Sequence, residues 1–409
     1  MRVAVIGGGI VGAAIAHALQ AAGHATTLIE RGQPGMGASF GNAGHIGTAS
    51  LVPQAVPGIW RNVPRWLRDP ASPLAVRPAA MLRHLPWFLR FLANSPRSRM
   101  ERNAASLAAL LAEVPEAWCA LAEDCAAEHL FDRHSGLLHV FESRAALDRA
   151  RWAYDLRSAH GVRVVELDGA ATQLREPCLA SHVEAGMWLP DVATVRDPLA
   201  LTQAVVARFV ALGGTLLPAT VDALRREGSR LRAMATSAGD VDADLFVLAA
   251  GAWSAPFARA LGARVPLAAE RGYHVMARGG NAPVRQPLML AERRVVVSPM
   301  AHGLRLTTLA EFDHPDAPAD HDRAARAFAG AEGAIPGVTG GIEARWMGPR
   351  PSTPDGLPVI GRAPRAENVI LAHGHGHLGL TMAALTGRMV QRCLDGAALP
   401  DFVSPGRAA

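Results

Sequence analysis

The chain has 409 residues, half of them hydrophobic, so it is long enough for two domains with a sizeable core. Its formal net charge is +5, and every basic residue is an arginine, because lysine is absent. No basic block is interleaved with aromatics, so no nucleic-acid-binding module is predicted.

The opening Arg2–Ile6 is a branched apolar run of the kind a buried parallel strand requires, rather than a cleavable signal. Gly7-Gly8-Gly9-Ile10-Val11-Gly12 follows, then small and apolar residues at helical spacing to Ala22. A second strand, 25–29, ends at Glu30. Strand, G-x-G-x-x-G, helix, strand and acid together form the dinucleotide fingerprint. Gly7 makes the turn, Gly9 lets backbone approach a pyrophosphate, and Gly12 lets helix and strand come close. The helix start offers free N–H groups to phosphate, and Glu30 sits where a ribose hydroxyl is bound. The acid argues against NADP; NAD and FAD both remain open here.

Residues 31–47 are glycine-rich and polar, and can lie along a bound ligand or form a surface loop. Residues 57–102 mix Trp60, Trp66, Trp87 and many leucines with arginines such as Arg61, Arg65, Arg68, Arg83 and Arg90. Two readings fit: a helical pair packed on its own domain, or peripheral contact with a membrane interface. Residues 103–129 read as a helix, 135–141 as a strand, 144–160 as a helix and 187–190 as a strand end. Asp197 and Pro198 start a helix that Gly213-Gly214 stops. Strands are expected at 215–221 and 241–248, the latter ending in a tight turn, Ala249-Ala-Gly-Ala-Trp253. Alternating runs at 266–276, 287–300 and 304–310 read as antiparallel strands, and 323–332 as a helix.

The C-terminal part has a turn-rich stretch, 348–361, a strand at 369–372, a glycine loop, His373-Gly-His-Gly-His-Leu-Gly379, and a helix at 380–394. Strand, glycine loop and helix again offer backbone N–H groups to a polar ligand. No acid accompanies the histidines, and Cys119, Cys125, Cys178 and Cys393 form no C-x-x-C pair, so neither a metal site nor a disulfide framework is predicted. The cysteine usage and the lack of a long apolar run lead us to expect a cytoplasmic protein.

Four motifs then agree in order along nearly the whole chain: 5–12, Ser39-Phe-Gly-Asn-Ala-Gly-His45, 249–253, and Gly348-Pro-Arg-Pro-Ser-Thr-Pro-Asp-Gly356 with the 374–379 loop. Together they resemble the D-amino-acid oxidase superfamily of FAD flavoproteins, above all its bacterial D-amino-acid dehydrogenases of the small-subunit type. Ser72-Pro-Leu-Ala-Val-Arg77 and Arg271-Gly-Tyr273 resemble that branch as well. The resemblance implies an α/β chain, α+β overall. A Rossmann-like FAD domain would be built from 1–48, 195–262 and 347–409, with an antiparallel-sheet substrate domain from 49–194 and 263–346.

It also implies cofactor contacts at Gly7, Gly9, Ile10, Val11, Gly12, Glu30, Arg31, Ser39, Asn42, Ala43, Gly44, Val221, Ala250, Gly251, Trp253, Gly376, His377, Leu378, Gly379 and Thr381. Arg350 corresponds to the arginine that grips the substrate carboxylate, Tyr273 to a tyrosine that donates to it, and His377 and His45 to residues beside the flavin. Relatives of the sarcosine-oxidase type tether flavin through a cysteine and activate oxygen with a lysine. Here the comparable stretch Trp346-Met-Gly348 has no cysteine and the chain has no lysine, which implies non-covalent FAD and electron transfer to a quinone or another carrier. The activity implied is oxidative deamination of a D-amino acid by hydride transfer from Cα to flavin N5. Alternatives are a D-proline or D-hydroxyproline dehydrogenase of amino-acid catabolism, a glycine- or sarcosine-type oxidase, a non-catalytic FAD subunit of a hetero-oligomer, and an NAD-dependent reductase.

Overall fold

A computed structural model describes residues 1–61, 63, 74–278 and 283–407. Its first sheet has six strands in the order Thr215–Pro218, Ala25–Glu30, Arg2–Ile6, Leu245–Leu248, Ala366–His373 and Val359–Ala363. The first five are parallel and the last runs antiparallel to its neighbour. Side chains alternate between two cores, as the period of a strand dictates. Val3, Val5, Leu28, Val247 and Ile370 face one layer, made of the helices Ile10–Ala21, Pro198–Ala211, Gly379–Leu394 and Arg97–Asp124. Ala4, Ile6, Phe246, Leu248 and Leu371 face the other, covered by the helix Ser254–Ala260 and by a three-stranded antiparallel sheet, Val221–Glu227, Arg230–Thr236 and Gly239–Asp242. The sequence reading had folded the ends of that small sheet into two longer strands.

The helix Arg97–Asp124 meets the length and apolar composition of a membrane span. Here Leu107, Leu111, Val114 and Trp118 bury one face in the first core, and Trp118 Nε1 donates to the Thr381 carbonyl at 2.8 Å. It is packed as a core helix, and it lies with the parallel sheet rather than with the rest of 49–194 as expected.

The second sheet runs Ile342–Ser352, Ala268–Ala277, Gly303–Phe312, Val295–Met300, Leu288–Leu290, Leu137–Phe141, Ala185–Leu189 and Val165–Asp168, with Leu74–Val76 beside Gly303–Phe312. Its register sets Trp346, His274, Thr307, Val296, Met289 and His139 side by side in one row across six strands. Residues one step along each strand, such as Val275, Leu306, Val297 and Leu288, point the other way into a core closed by Phe328 of the helix His321–Ala329.

Within 57–102, Arg65, Trp66, Leu67, Arg68, Ser72 and Pro73 lie outside the described residues. The short helices Pro78–Arg83 and Leu85–Ala93 divide their side chains. Trp87 is buried, stacks on Phe91 at 5.1 Å and donates from Nε1 to the Ser352 carbonyl at 2.8 Å. Trp60, Leu82, Leu85, Leu89 and Leu92 remain exposed.

Candidate active site

The C-terminal ends of the parallel strands and the row of the second sheet, apart from His274, line one cavity of about 920 Å³. At the parallel-sheet end, Gly7 has φ +103°, and a Cβ there would stand 2.6 Å from the Ala249 oxygen. A Cβ on Gly12 would stand 1.8 Å from the Gly7 oxygen, so only glycine lets the helix start this close to the turn. Glu30 accepts from Gly8 N at 2.6 Å and Gly32 N at 3.0 Å. Ile10 N donates to Ser39 Oγ at 2.9 Å, which ties the second loop to the helix start. Asn42 folds that loop, donating to the Ser39 carbonyl at 2.5 Å and accepting from Gly44 N at 2.7 Å. Arg31 lies 4.0 Å over the Trp253 ring. Thr381 Oγ1, in the first turn of the last helix, accepts from Gly47 N at 2.9 Å. Of the residues expected to hold a cofactor, Gly12 and Gly44 do not line the cavity, and the rest do. Gly12 acts from behind, through the turn it permits, and Gly44 through its φ of +79° and its N–H to Asn42.

At the other end, Arg350, Gly348 and Trp346 fall on one face of their strand, opposite Glu270, Gly272 and His274. A Cβ on Gly272 would stand 2.1 Å from Arg350 Nη2, so the guanidinium lies directly across this glycine. Arg350 Nη1 donates to Glu270 Oε1 at 3.0 Å, and the other carboxylate oxygen accepts from Ser352 Oγ at 2.7 Å. Glu270 is buried, whereas Arg350 retains exposure of 22% into the cavity it lines. His377 sits beside this pair; burial holds its pKa below the ordinary value, opposed by Glu270 and assisted by Arg350. His45 Nε2 lies 3.1 Å from Ser298 Oγ, and burial pushes its pKa down to about 4, so its ring is neutral near pH 7.

Tyr273 corrects the sequence reading. It does not line the cavity, because strand alternation turns it to the face opposite Gly272 and His274. The register pairs Arg271 with Glu311 and, past an irregularity, Tyr273 with Thr308, and the side chains of both Arg271 and Tyr273 reach Glu311. The Tyr273 hydroxyl donates to Glu311 and accepts from Asp320 N at 2.9 Å, and burial pushes its pKa up to about 12. It is a buried tyrosine held by Glu311 and Asp320 N, away from the cavity that Arg350 lines.

Residues 2–392 match the family described as FAD dependent oxidoreductase. The chain belongs to this family. It is 36% identical to a D-amino-acid oxidase of Bradyrhizobium diazoefficiens, over 97% of this chain and 95% of the relative. It is 31% identical to a D-amino acid dehydrogenase of Xanthobacter autotrophicus, over 98% and 97% of the two chains. Among solved structures it is similar to glycine oxidase from Geobacillus kaustophilus, with a TM-score of 0.76 and 23% identity over 100% and 99% of the two chains, a likeness of fold.

The cofactor of this flavoprotein is therefore FAD, and the glycine cradle, the Glu30 carboxylate and the helix start at Ile10 fit its adenosine and pyrophosphate. None of the four cysteines lines the cavity. The histidines of the C-terminal loop part company. All three line the cavity: His373 is buried in its strand, His375 Nε2 lies 2.9 Å from Thr386 Oγ1, and His377 is the one that feels the charges of Glu270 and Arg350. Sequence reasoning missed Glu270, Thr307, Met289, His139 and Arg157, all of which line or border this cavity. Alternation along the Ala268–Ala277 strand could have found Glu270, two residues before Gly272. Nothing local marks Arg157, which reaches the cavity from the helix Arg144–Ala159.

Proposed function

We propose that this flavoprotein deaminates a D-amino acid oxidatively, with its carboxylate held by Arg350. The observation that carries the reading is the Arg350 guanidinium, which faces the cavity while Glu270 fixes one of its nitrogens. A planar guanidinium receives a carboxylate on two parallel N–H groups, which fixes both position and orientation. FAD, when bound, supplies the two-electron acceptor for the Cα hydride. The protein contributes geometry: Arg350 anchors the acid group, Gly272 makes room for its guanidinium and Gly348 for the Trp346 ring, and Met289, Val296 and Trp346 make an apolar wall. The substrate amine must be neutral before it yields a hydride. Desolvation holds both His45, half-buried, and His377, open to the cavity, toward the neutral form, so either can hydrogen-bond the amine without repelling it. Loss of hydride and proton gives an imine, which water converts to the 2-oxo acid and ammonia. The relatives named as D-amino-acid oxidase and D-amino acid dehydrogenase support the substrate class.

Non-covalent FAD and electron delivery to a quinone or another carrier belong to the same reading; a chain without lysine has no lysine to activate oxygen. The exposed Leu82, Leu85, Leu89 and Leu92, with Arg83 and Arg90 among them, form the face for peripheral contact with a membrane. A dye-reduction screen over D- and L-amino acids, with cyclic and N-methyl substrates included, tests the proposal. Turnover of D-amino acids supports it; turnover of L-amino acids alone, or of none, contradicts it.

A further inference from the structure

The cavity continues past the row's midpoint to His139, five strand spacings from Trp346, which at about 4.8 Å each is about 24 Å along a flat sheet. An amino acid held by Arg350 cannot reach that far. A second arginine lies there. Arg157, on the helix Arg144–Ala159, lines the cavity and is half-buried. Its Nε donates to the Ala49 carbonyl at 3.0 Å and its Nη1 to the Ala153 carbonyl at 2.9 Å. Its guanidinium also lies 5.1 Å from the Tyr154 ring centroid. Among the described residues no carboxylate pairs with it, and Nη2 has no hydrogen-bond partner. A half-buried cation without a counter-charge is partly desolvated at a cost, and an anion entering the cavity relieves that cost.

His139 adds a second donor. Its Nδ1 lies 2.6 Å from the Tyr154 hydroxyl. A hydroxyl donating to Nδ1 fixes the tautomer that carries its proton on Nε2, and His139 also lines the cavity. Around the two groups, Leu137 and Met289 leave an apolar wall with space for a short carbon chain. The cluster offers donors and no acceptor carboxylate, which selects an anion.

We infer that Arg157 and His139 form a second anion subsite, remote from Arg350, that takes the carboxylate of a small organic acid. The fork of Arg157 suits a carboxylate, and the apolar wall suits its short chain. The free acid can be an amino-acid substrate on its way in or a 2-oxo acid on its way out; both bear this group. The inference needs the cavity and its charges. It draws on the proposed reaction only for the identity of that acid.

Equilibrium dialysis of the FAD-loaded protein with radiolabelled propionate tests it. Two propionates per chain are expected in the wild type, one at each arginine. Arg157→Gln should keep its flavin and weaken one site by about tenfold or more, as expected for loss of a charge-assisted contact. Arg350→Gln should remove the other site alone, so failure at Arg350 reads separately from failure here. Arg157→Lys keeps the charge and should keep both sites, which guards against a Gln variant that does not fold. In the wild type, neutral propionamide should displace propionate from neither site, and D-alanine should displace it from both. One propionate per chain unchanged by Arg157→Gln, or displacement from the second site by phosphate but not by D-alanine, would overturn the assignment.

Discussion

Replacing Arg350 disturbs two things, and the structure says how to separate them. Its Nη1 neutralises Glu270, which is 2% exposed and otherwise held by Ser352 Oγ at 2.7 Å. Arg350→Met alone leaves a buried carboxylate unpaired, a change that costs about 3–5 kcal/mol where both partners are buried. Arg350 is partly open to the cavity, so the lower end of that range applies. The same substitution removes two charge-assisted hydrogen bonds to substrate, each worth about 1.5–3 kcal/mol. The least of these sums, about 3 kcal/mol, lowers kcat/KM by about 150-fold. Adding Glu270→Gln removes the stranded charge while leaving the carboxylate pocket without its cation. The double variant should therefore regain most of the stability in denaturant unfolding, bind FAD normally, and still show kcat/KM depressed by about two orders of magnitude with a dye acceptor. Wild-type kcat/KM in the double variant would refute the reasoning and leave Arg350 as a structural partner of Glu270.

Gly12→Ala brings a methyl to 1.8 Å from the Gly7 oxygen, so the turn must open; purified protein should contain little flavin, read from its absorption spectrum, and a full flavin complement would contradict the cradle. Tyr273→Phe leaves the Asp320 N–H unpaired while Glu311 keeps Arg77 and Arg271, and should cost about 1–3 kcal/mol of stability, with KM unchanged; a large rise in KM would return Tyr273 to the carboxylate site. Acid should destabilise the fold early. Burial lowers the pKa of His45 and His375 to about 4, and of His139, His274 and His373 to about 3. Unfolded histidines titrate near 6.5 and bind protons that the folded ones refuse, so the stabilisation is complete above that value and is lost as pH falls toward 4 and 3. Denaturant midpoints measured from pH 7 to pH 4 should fall steadily, and a flat profile would contradict neutral burial of these rings.

The first core was legible because its signals are local. Branched runs at Arg2–Ile6 and Leu245–Leu248, the glycines at 7, 9 and 12, and the acid at 30 each state their role within a few residues. The second sheet was legible in its alternating runs, less so in its faces. A motif match says nothing of parity, and the Glu311 that holds Tyr273 lies on a strand 38 residues further along the chain, which no local signal reveals. Glu270 and Arg350 meet only across paired strands 80 residues apart. Arg157 is one arginine among 41 basic residues, and the fold alone brings it to a cavity wall. The helix Arg97–Asp124 read correctly as a helix, but its partner, the C-terminal helix, is nearly 300 residues on, so its layer could not be read.

Anaerobic mixing of the FAD-loaded protein with a D-amino acid, followed by flavin absorption, tests the central claim most directly. Bleaching of the flavin band by the wild type, slowed about a hundredfold or more at low substrate in the Arg350→Met, Glu270→Gln pair, is the result predicted from the loss of two charge-assisted bonds. A flavin that stays oxidised with every D-amino acid, or that bleaches equally fast without the guanidinium, would contradict it.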